Sequence, residues 1–370
     1  MGKRLIFHVP SMRGGGAERV FVLMANEMAR RGHDVTLFTW NAEGPNAALR
    51  DEAVKLIDLG IPIRGEGFGK PATIRGLIRS ASIYARLRPD AVFSGPEFAN
   101  LVTALALNLG LSPALFFPSF HAAAAIGSDG TGSRLAVLLA GVVGARATRA
   151  IAVSEGVKGD IVARGIPARK AVVIHNPLPP AITHPAGHYP WQADIEAMGD
   201  GPVIVTAGRL VPVKDHKTLL RAFAELLARR PARLVIFGEG PLLGALRAES
   251  EALGIASRVL FAGYVNDPAA CYAVADLFAL TSLTEGFGNV LIEAMAAGVP
   301  VVSTDAPHGP REILAGGTYG PLVAVGDAEG LGQAMEQALD HPPAAATLRS
   351  RAADFAIERI GDRYEALLAD

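Results

Sequence analysis

The chain has 370 residues, half of them hydrophobic and 19% charged, with a formal net charge of −1. That is a soluble globular composition with room for sizeable cores, and it excludes a disordered chain, a collagen-like repeat and a disulfide scaffold. The single cysteine, Cys271, allows no intrachain disulfide, and its apolar setting AACYAVADLFAL suits a buried small residue better than a nucleophile.

From the start, short β-branched runs alternate with amphipathic ones. RLIFHV (4–9) reads as a strand, AERVFVLMANEMARRG (17–32) as a helix, and VTLFTW (35–40) as a second strand. AVFSG (91–95), ALFFPS (114–119), AIAVS (150–154) and AVVIHN (171–176) read as further strands. The rhythm restarts with PVIVTAG (202–208), ARLVIFGEG (232–240), VLFAGYV (259–265), LFALTS (277–282) and VPVVSTD (299–305). Strands alternating with helices form βαβ units and parallel sheets. Two series, in a chain long enough for two domains of about 100–200 residues each, give two doubly wound domains.

The boundaries follow from composition. An N-terminal domain over 1–176 precedes a proline-dense linker over 177–200, then a C-terminal domain over 201–343 and a final helix over 344–370 that could return to the first domain. The N-terminus MGKRLIFHVP is too short and polar for a signal peptide. The apolar stretches near 101–117 and 135–145 are broken or too short for a bilayer crossing of about 20 residues. A cytoplasmic chain without a transmembrane segment is expected.

Charge is unevenly placed. Residues 1–175 carry 21 Lys+Arg against 13 Asp+Glu, and residues 176–370 carry 14 against 23. The basic half fits a polyanionic partner (nucleic acid, an anionic membrane or a phosphorylated acceptor), or the two halves simply attract each other. In the helical run 72–88, Arg75, Arg79 and Arg86 form one stripe and Ile74, Leu77, Ile78, Ala81 and Ala85 another. Such a helix can lie on anionic lipid or be an ordinary sheet-covering helix with a wet basic face.

Doubly wound sheets bind ligands beyond the carboxyl ends of their strands. The richest such segment is LFALTSLTEGFGNVLIEAMAAGVPVVSTDAPHGPREIL (277–314), where Glu285-Gly286-Phe287-Gly288-Asn289 leads from a strand into a helix. Glycines admit close approach of a ligand, and a helix N-terminus attracts phosphate. Carboxylates accept hydrogen bonds from hydroxyls, which suits Glu285 to a sugar and Glu293 to a ribose. Taken alone, each glutamate also fits a plain helix start.

EGFGNVLIEAMAAGVPVV, with its Glu-x7-Glu spacing, resembles the signature of the family 4 retaining glycosyltransferases of GT-B fold. GGGAERV (14–20), GRLVPVKDHKTLLRAF (208–223), IFGEGP (236–241) and TDAPHGPREIL (304–314) resemble further family segments in the expected order. The resemblance implies two Rossmann-like domains facing across a cleft. It implies a hexosyltransferase that moves a hexose or N-acetylhexosamine from a nucleotide diphosphate sugar, with a UDP-sugar favoured, to a lipid-linked or polysaccharide acceptor of the cell surface.

Residue by residue, Arg209 and Lys214 match the pair that holds the donor pyrophosphate, and Gly15 and Gly16 the loop that closes over it. Glu285 matches the residue at the donor sugar's hydroxyls. Gly286, Phe287, Gly288 and Asn289 match the backbone that binds sugar and phosphate, and Glu293 the ribose ligand. Tyr264 and Val265 fall where the family reads the base, and His121 matches a histidine near the reacting carbon. Asn100 and Glu97 could face an acceptor held by the first domain.

In the family's front-face pattern the leaving phosphate deprotonates the acceptor. The chain has no Asp-x-Asp pair, and with Arg and Lys on the phosphates no metal or other cofactor is expected. The partners implied are the donor, a glycan or lipid-linked acceptor and an anionic membrane surface under Arg75, Arg79 and Arg86, with no nucleic acid and a location at the inner membrane face. Rival readings are a nucleotide-sugar-binding protein without transferase activity, a GT-B nucleotide-sugar epimerase and a nicotinamide-dependent dehydrogenase. The last wants a full G-x-G-x-x-G, which GGGAER does not supply.

Overall fold

The computed structural model describes residues 2–13, 15–63, 68–121, 139–179, 189–265 and 267–369. The chain forms two compact units, Met1–Pro177 with Ala356–Asp370 and Leu178–Phe355.

The first unit is built on β1 (Arg4–Ser11), β2 (Asp34–Asn41), β3 (Lys55–Asp58), β4 (Ala91–Ser94), β5 (Leu115–Phe120), β6 (Ala150–Ala152) and β7 (Ala171–Val173). All pairings are parallel, in the order β3-β2-β1-β4-β5-β6-β7. The order reverses between β1 and β4, which opens the crevice where such sheets bind ligands. Phe7, Phe93 and Phe117 lie on three neighbouring strands and stack at 4.9 Å centroid spacings. Each is fully buried, worth about 1.5–3 kcal/mol per side chain. Helix α1 (Gly16–Arg30) lays Val20, Phe21, Met24 and Met28 on this core.

Helix α2 (Lys70–Leu87) buries a different face from the one its apolar residues suggest. Gly76, Ser80, Ala81, Ile83 and Tyr84 turn inward. Trp40 is the reason: a Cβ on Gly76 would stand 2.5 Å from its ring, and its indole N–H donates to Ser80 Oγ at 3.1 Å. Of the expected apolar stripe, Ala81 is buried and Leu77 half-buried, while Ile74 and Ile78 are 61% and 55% exposed. They share the surface with exposed Arg75, Arg79 and Arg86.

The second unit holds β8 (Val203–Ala207), β9 (Arg233–Phe237), β10 (Val259–Gly263), β11 (Leu277–Leu280), β12 (Val301–Thr304) and β13 (Leu322–Val323), parallel in the order β10-β9-β8-β11-β12-β13. Its core gathers Ile204, Leu219, Phe223, Leu234, Ile236, Leu277, Val302 and Met335.

Two expectations at the boundaries need correction. The proline-dense stretch is not all linker: Pro190–Ala197 is a helix with proline in its first turn, where the missing N–H costs nothing. Its Trp191 is buried, edge-on to Phe237 at 5.1 Å. Residues 180–188 of that stretch lie outside the described residues. The final helix is two helices, Ala345–Ala352 in the second unit and Ile357–Leu367 in the first. The latter is fastened by Arg31, which pairs with Asp362 at 2.8 Å and Glu365 at 2.7 Å, and by Tyr364 beside Phe93 at 5.2 Å.

Candidate functional site

In the second unit, the loop after β8 and the loop after β11 are sewn together. Leu283 N–H donates to Val213 O at 2.8 Å and Thr281 Oγ1 to Lys214 O at 2.9 Å. These bonds set Lys214, at the end of the turn Pro212–Lys214, against Glu285. Lys214 Nζ donates to Glu285 Oε1 as a direct ion pair, and Ser282 Oγ donates to the same oxygen at 2.6 Å. The side chains are 24% and 12% exposed, so both remain open to a ligand while solvent screens them little. Arg209 lies two residues beyond β8 and is exposed.

Glycine shapes this edge. At Gly238, just after β9, φ is +133° and a Cβ would stand 1.9 Å from Gly208 O, so any side chain would force the two loops apart. Gly288 has φ +104° and caps α-helix Asn289–Ala297 without a side-chain hydrogen bond. Phe287 is buried and edge-on to Phe355 at 5.4 Å, which anchors the loop that carries Glu285 and Gly286.

Glu293 lies one turn into that helix and is buried. Its Oε2 accepts from Tyr272 Oη at 2.8 Å. Neighbouring Cys271 is buried too, and burial, with the Glu293 and Asp267 charges adding, pushes its thiol up to about 12. It is therefore a neutral packing group. Tyr264 and Val265 follow β10, with Tyr264 54% exposed. Sequence reasoning missed Tyr272 and Ser282. Tyr272 belongs to an apolar helical run, and nothing local marks its hydroxyl as the partner of a carboxylate 21 residues away.

In the first unit, Gly15 is the N-cap of α1 and Gly16 its first residue, while Gly14 lies outside the described residues. The Glu18 carboxylate lies close enough to Gly15 that a Cβ there would stand 2.1 Å from it, a helix N-terminus with its own acid. His121 follows β5. Its Nε2 is 2.9 Å from Ser119 Oγ and its ring 5.7 Å from that of Phe21. Nδ1 has no hydrogen-bond partner among the described residues. Burial lowers the imidazole to about 4, so it is neutral near pH 7. Asn100 is fully buried, accepts from Ser94 Oγ at 2.7 Å and donates to Ser119 O at 2.8 Å. It braces β4 against β5 and does not face an acceptor. Glu97 opens the helix Glu97–Leu109, and burial raises its carboxyl.

Two family models match this chain. "Glycosyl transferase 4-like domain" covers residues 15–177 and "Glycosyl transferases group 1" covers 190–355, with Lys214, Glu285 and Glu293 inside the second. The chain belongs to the family 4-type glycosyltransferases. The lipopolysaccharide core biosynthesis glycosyltransferase LpsE of Rhizobium meliloti is 36% identical to it over 187 residues, 48% of this chain and 53% of LpsE. The N-acetylgalactosamine-N,N'-diacetylbacillosaminyl-diphospho-undecaprenol 4-alpha-N-acetylgalactosaminyltransferase of Campylobacter jejuni is 38% identical over 137 residues, 37% of each chain. The glycosyltransferase thus spans about half or less of the length of these curated relatives. HepE of Anabaena, solved with UDP and glucose, superposes with a TM-score of 0.78 over 99% of both chains at 22% identity. That likeness establishes the GT-B fold, two Rossmann-like units. Among the described residues, no helix is long and apolar enough to cross a membrane.

Proposed function

We propose that this glycosyltransferase is a retaining hexosyltransferase that moves a hexose or N-acetylhexosamine from a UDP-sugar to a lipid-linked or polysaccharide acceptor in cell-surface glycan synthesis. The observation that carries the reading is the Lys214–Glu285 pair at the carboxyl edge of the second sheet. It puts a cation for phosphate beside a carboxylate for sugar hydroxyls. The names of LpsE and the undecaprenol-linked transferase support the acceptor class, and HepE's complex supports the donor.

In this proposal Arg209, Lys214 and the helix start at Asn289 meet the charge that develops on the leaving diphosphate. Fixed donors aimed at such charge are typically the largest catalytic contribution. Lys and Arg supply it here without a metal. Glu285 orients the sugar, Glu293 holds the ribose, and the backbone beyond β10 at Tyr264 and Val265 reads the base. His121, neutral near pH 7, acts at the reacting carbon, and Gly15 and Gly16 bind phosphate. As the bond from the anomeric carbon to the diphosphate breaks, the acceptor oxygen bonds to that carbon on the same face and the departing phosphate takes its proton, which retains configuration.

Membrane docking through α2 belongs to the same proposal. Ile74 and Ile78 are exposed beside Arg75, Arg79 and Arg86. Apolar residues among arginines suit the interface of an anionic bilayer, each cation adding about 1 kcal/mol near the surface. The function is tested by thermal stabilisation with UDP-, GDP- and ADP-sugars. A UDP-sugar should raise the melting temperature, by about 2.7 kcal/mol of stability at 100-fold saturation. Stabilisation by none of them would refute the reading.

A further inference from the structure

The described part of the first unit contains a polar cavity of about 240 Å3 lined by Arg13, Asn41, Glu43, Asp58, Gly60, Pro62 and Ile63. It lies at the carboxyl ends of β2 and β3, where Asn41 and Asp58 are the terminal residues, and against the loop from β1 to α1, which supplies Arg13. This places it just to one side of the β1/β4 crevice. Its walls are held by their own hydrogen bonds. Asn46 Nδ2 donates to Arg13 O at 2.8 Å and Gly15 O at 3.2 Å, which ties the segment after β2 to the loop after β1. Asp58 Oδ1 accepts from Gly60 N–H at 2.9 Å.

One group there lacks a partner among the described residues. Asn41 is only 7% exposed. Its Oδ1 accepts from Glu43 N–H at 3.1 Å, whereas its Nδ2 takes no partner among the described residues, and Asn41 lines the cavity. A nearly buried amide N–H2 beside a cavity is a donor awaiting an acceptor. Glu43 and the second oxygen of Asp58 add carboxylate acceptors, and Arg13 adds a cation. Among the described residues of the lining, two carboxylates against one guanidinium leave a net negative charge, which disfavours phosphate and uronate. A lining that offers both donors and acceptors suits the hydroxyls of a neutral sugar, each of which donates and accepts, and about 240 Å3 has room for one ring.

We infer that this cavity holds a neutral, hydroxyl-rich sugar unit of the acceptor, with Asn41, Glu43 and Asp58 as the residues that select it. The inference rests on the transferase reading and names the acceptor chemistry which that reading leaves open. The test is saturation-transfer NMR on the full chain with UDP present. The probes are the methyl glycosides of glucose, galactose, mannose and N-acetylglucosamine, with methyl glucuronoside as the anionic comparator. At least one neutral glycoside should receive saturation, weakening about tenfold in Asn41→Ala and in Glu43→Gln, and the glucuronoside should receive little. Glu43 is exposed, so its variant keeps the test sound if Asn41→Ala fails to fold. Failure of every neutral glycoside, indifference to both substitutions, or equal uptake of the glucuronoside would overturn the inference. Thermal stabilisation of the wild type by UDP-sugars separates the cases: if it is present, only the cavity's role falls, and if it is absent the transferase reading falls as well.

Discussion

Lys214 and Glu285, 71 residues apart in the chain, form a direct ion pair between the loops that follow β8 and β11. The pair holds each group in place before any donor arrives. A donor would then exchange part of this contact for its own phosphate and hydroxyls, so both residues would meet the transition state already positioned.

Lys214→Ala and Glu285→Ala should each lower turnover at least about 100-fold, the usual scale for one lost donor aimed at developing charge. Steady-state rates on the true donor and acceptor, with circular dichroism to confirm folding, give the answer. Near wild-type turnover in either variant would remove that residue from the mechanism.

Tyr272→Phe deletes the 2.8 Å hydrogen bond to Glu293 and keeps the ring that packs against Phe278. If Glu293 binds the ribose, the loosened carboxylate should raise KM for the donor about tenfold and leave kcat nearly unchanged. A 2′,3′-dideoxy nucleotide should bind both proteins alike. A loss as large for the dideoxy compound would make Tyr272 a packing residue only.

Acid should unfold the protein through its buried imidazoles. Burial lowers His8 to about 3, and His121 and His216 each to about 4, from an ordinary 6.5, with the Lys214 charge adding at His216. Below pH 6.5 the unfolded chain therefore binds protons that the folded one refuses, so stability falls as the pH drops from there toward 4. Near pH 5.5, where ordinary carboxylates remain ionised, calorimetry in buffers of different ionisation enthalpy should read net proton uptake on unfolding, with about three protons going to these imidazoles and the raised Glu97 carboxyl releasing part of that in return. Uptake near zero would contradict the burial of these groups.

On the face of α2, reversing Arg75, Arg79 and Arg86 together to Glu should abolish co-sedimentation with phosphatidylglycerol vesicles, and Ile74→Ser with Ile78→Ser should weaken it. Wild-type binding that is no better to anionic than to neutral vesicles would refute docking through this face.

What was legible in the sequence follows physical lines. Interior strands of a parallel sheet are covered on both faces, so RLIFHV, VTLFTW and LFALTS appear as near-continuous apolar runs. Edge strands lack that cover. Lys55–Asp58 is mostly exposed and Leu322–Val323 has two residues, and neither announces itself. Prolines hid Pro190–Ala197, where one of them starts the helix. The inward face of α2 is not marked in the sequence because Trp40 demands small residues opposite it, and Gly76 and Ser80 carry no hydrophobic mark. The Glu285–Glu293 spacing was readable because it is local. The Lys214–Glu285 contact, the Tyr272–Glu293 bond and the Asn41 cavity arise only when distant strand ends meet.

Retaining transfer from a UDP-sugar is tested most directly by the anomer of the first sugar released. Proton NMR of UDP-glucose, UDP-galactose and UDP-N-acetylglucosamine with the full chain, read before mutarotation sets in, needs no knowledge of the acceptor. A retaining enzyme releases the α-sugar first from one of these α-linked donors. Initial release of the β-sugar, or no enzyme-dependent release from any of them, would contradict it.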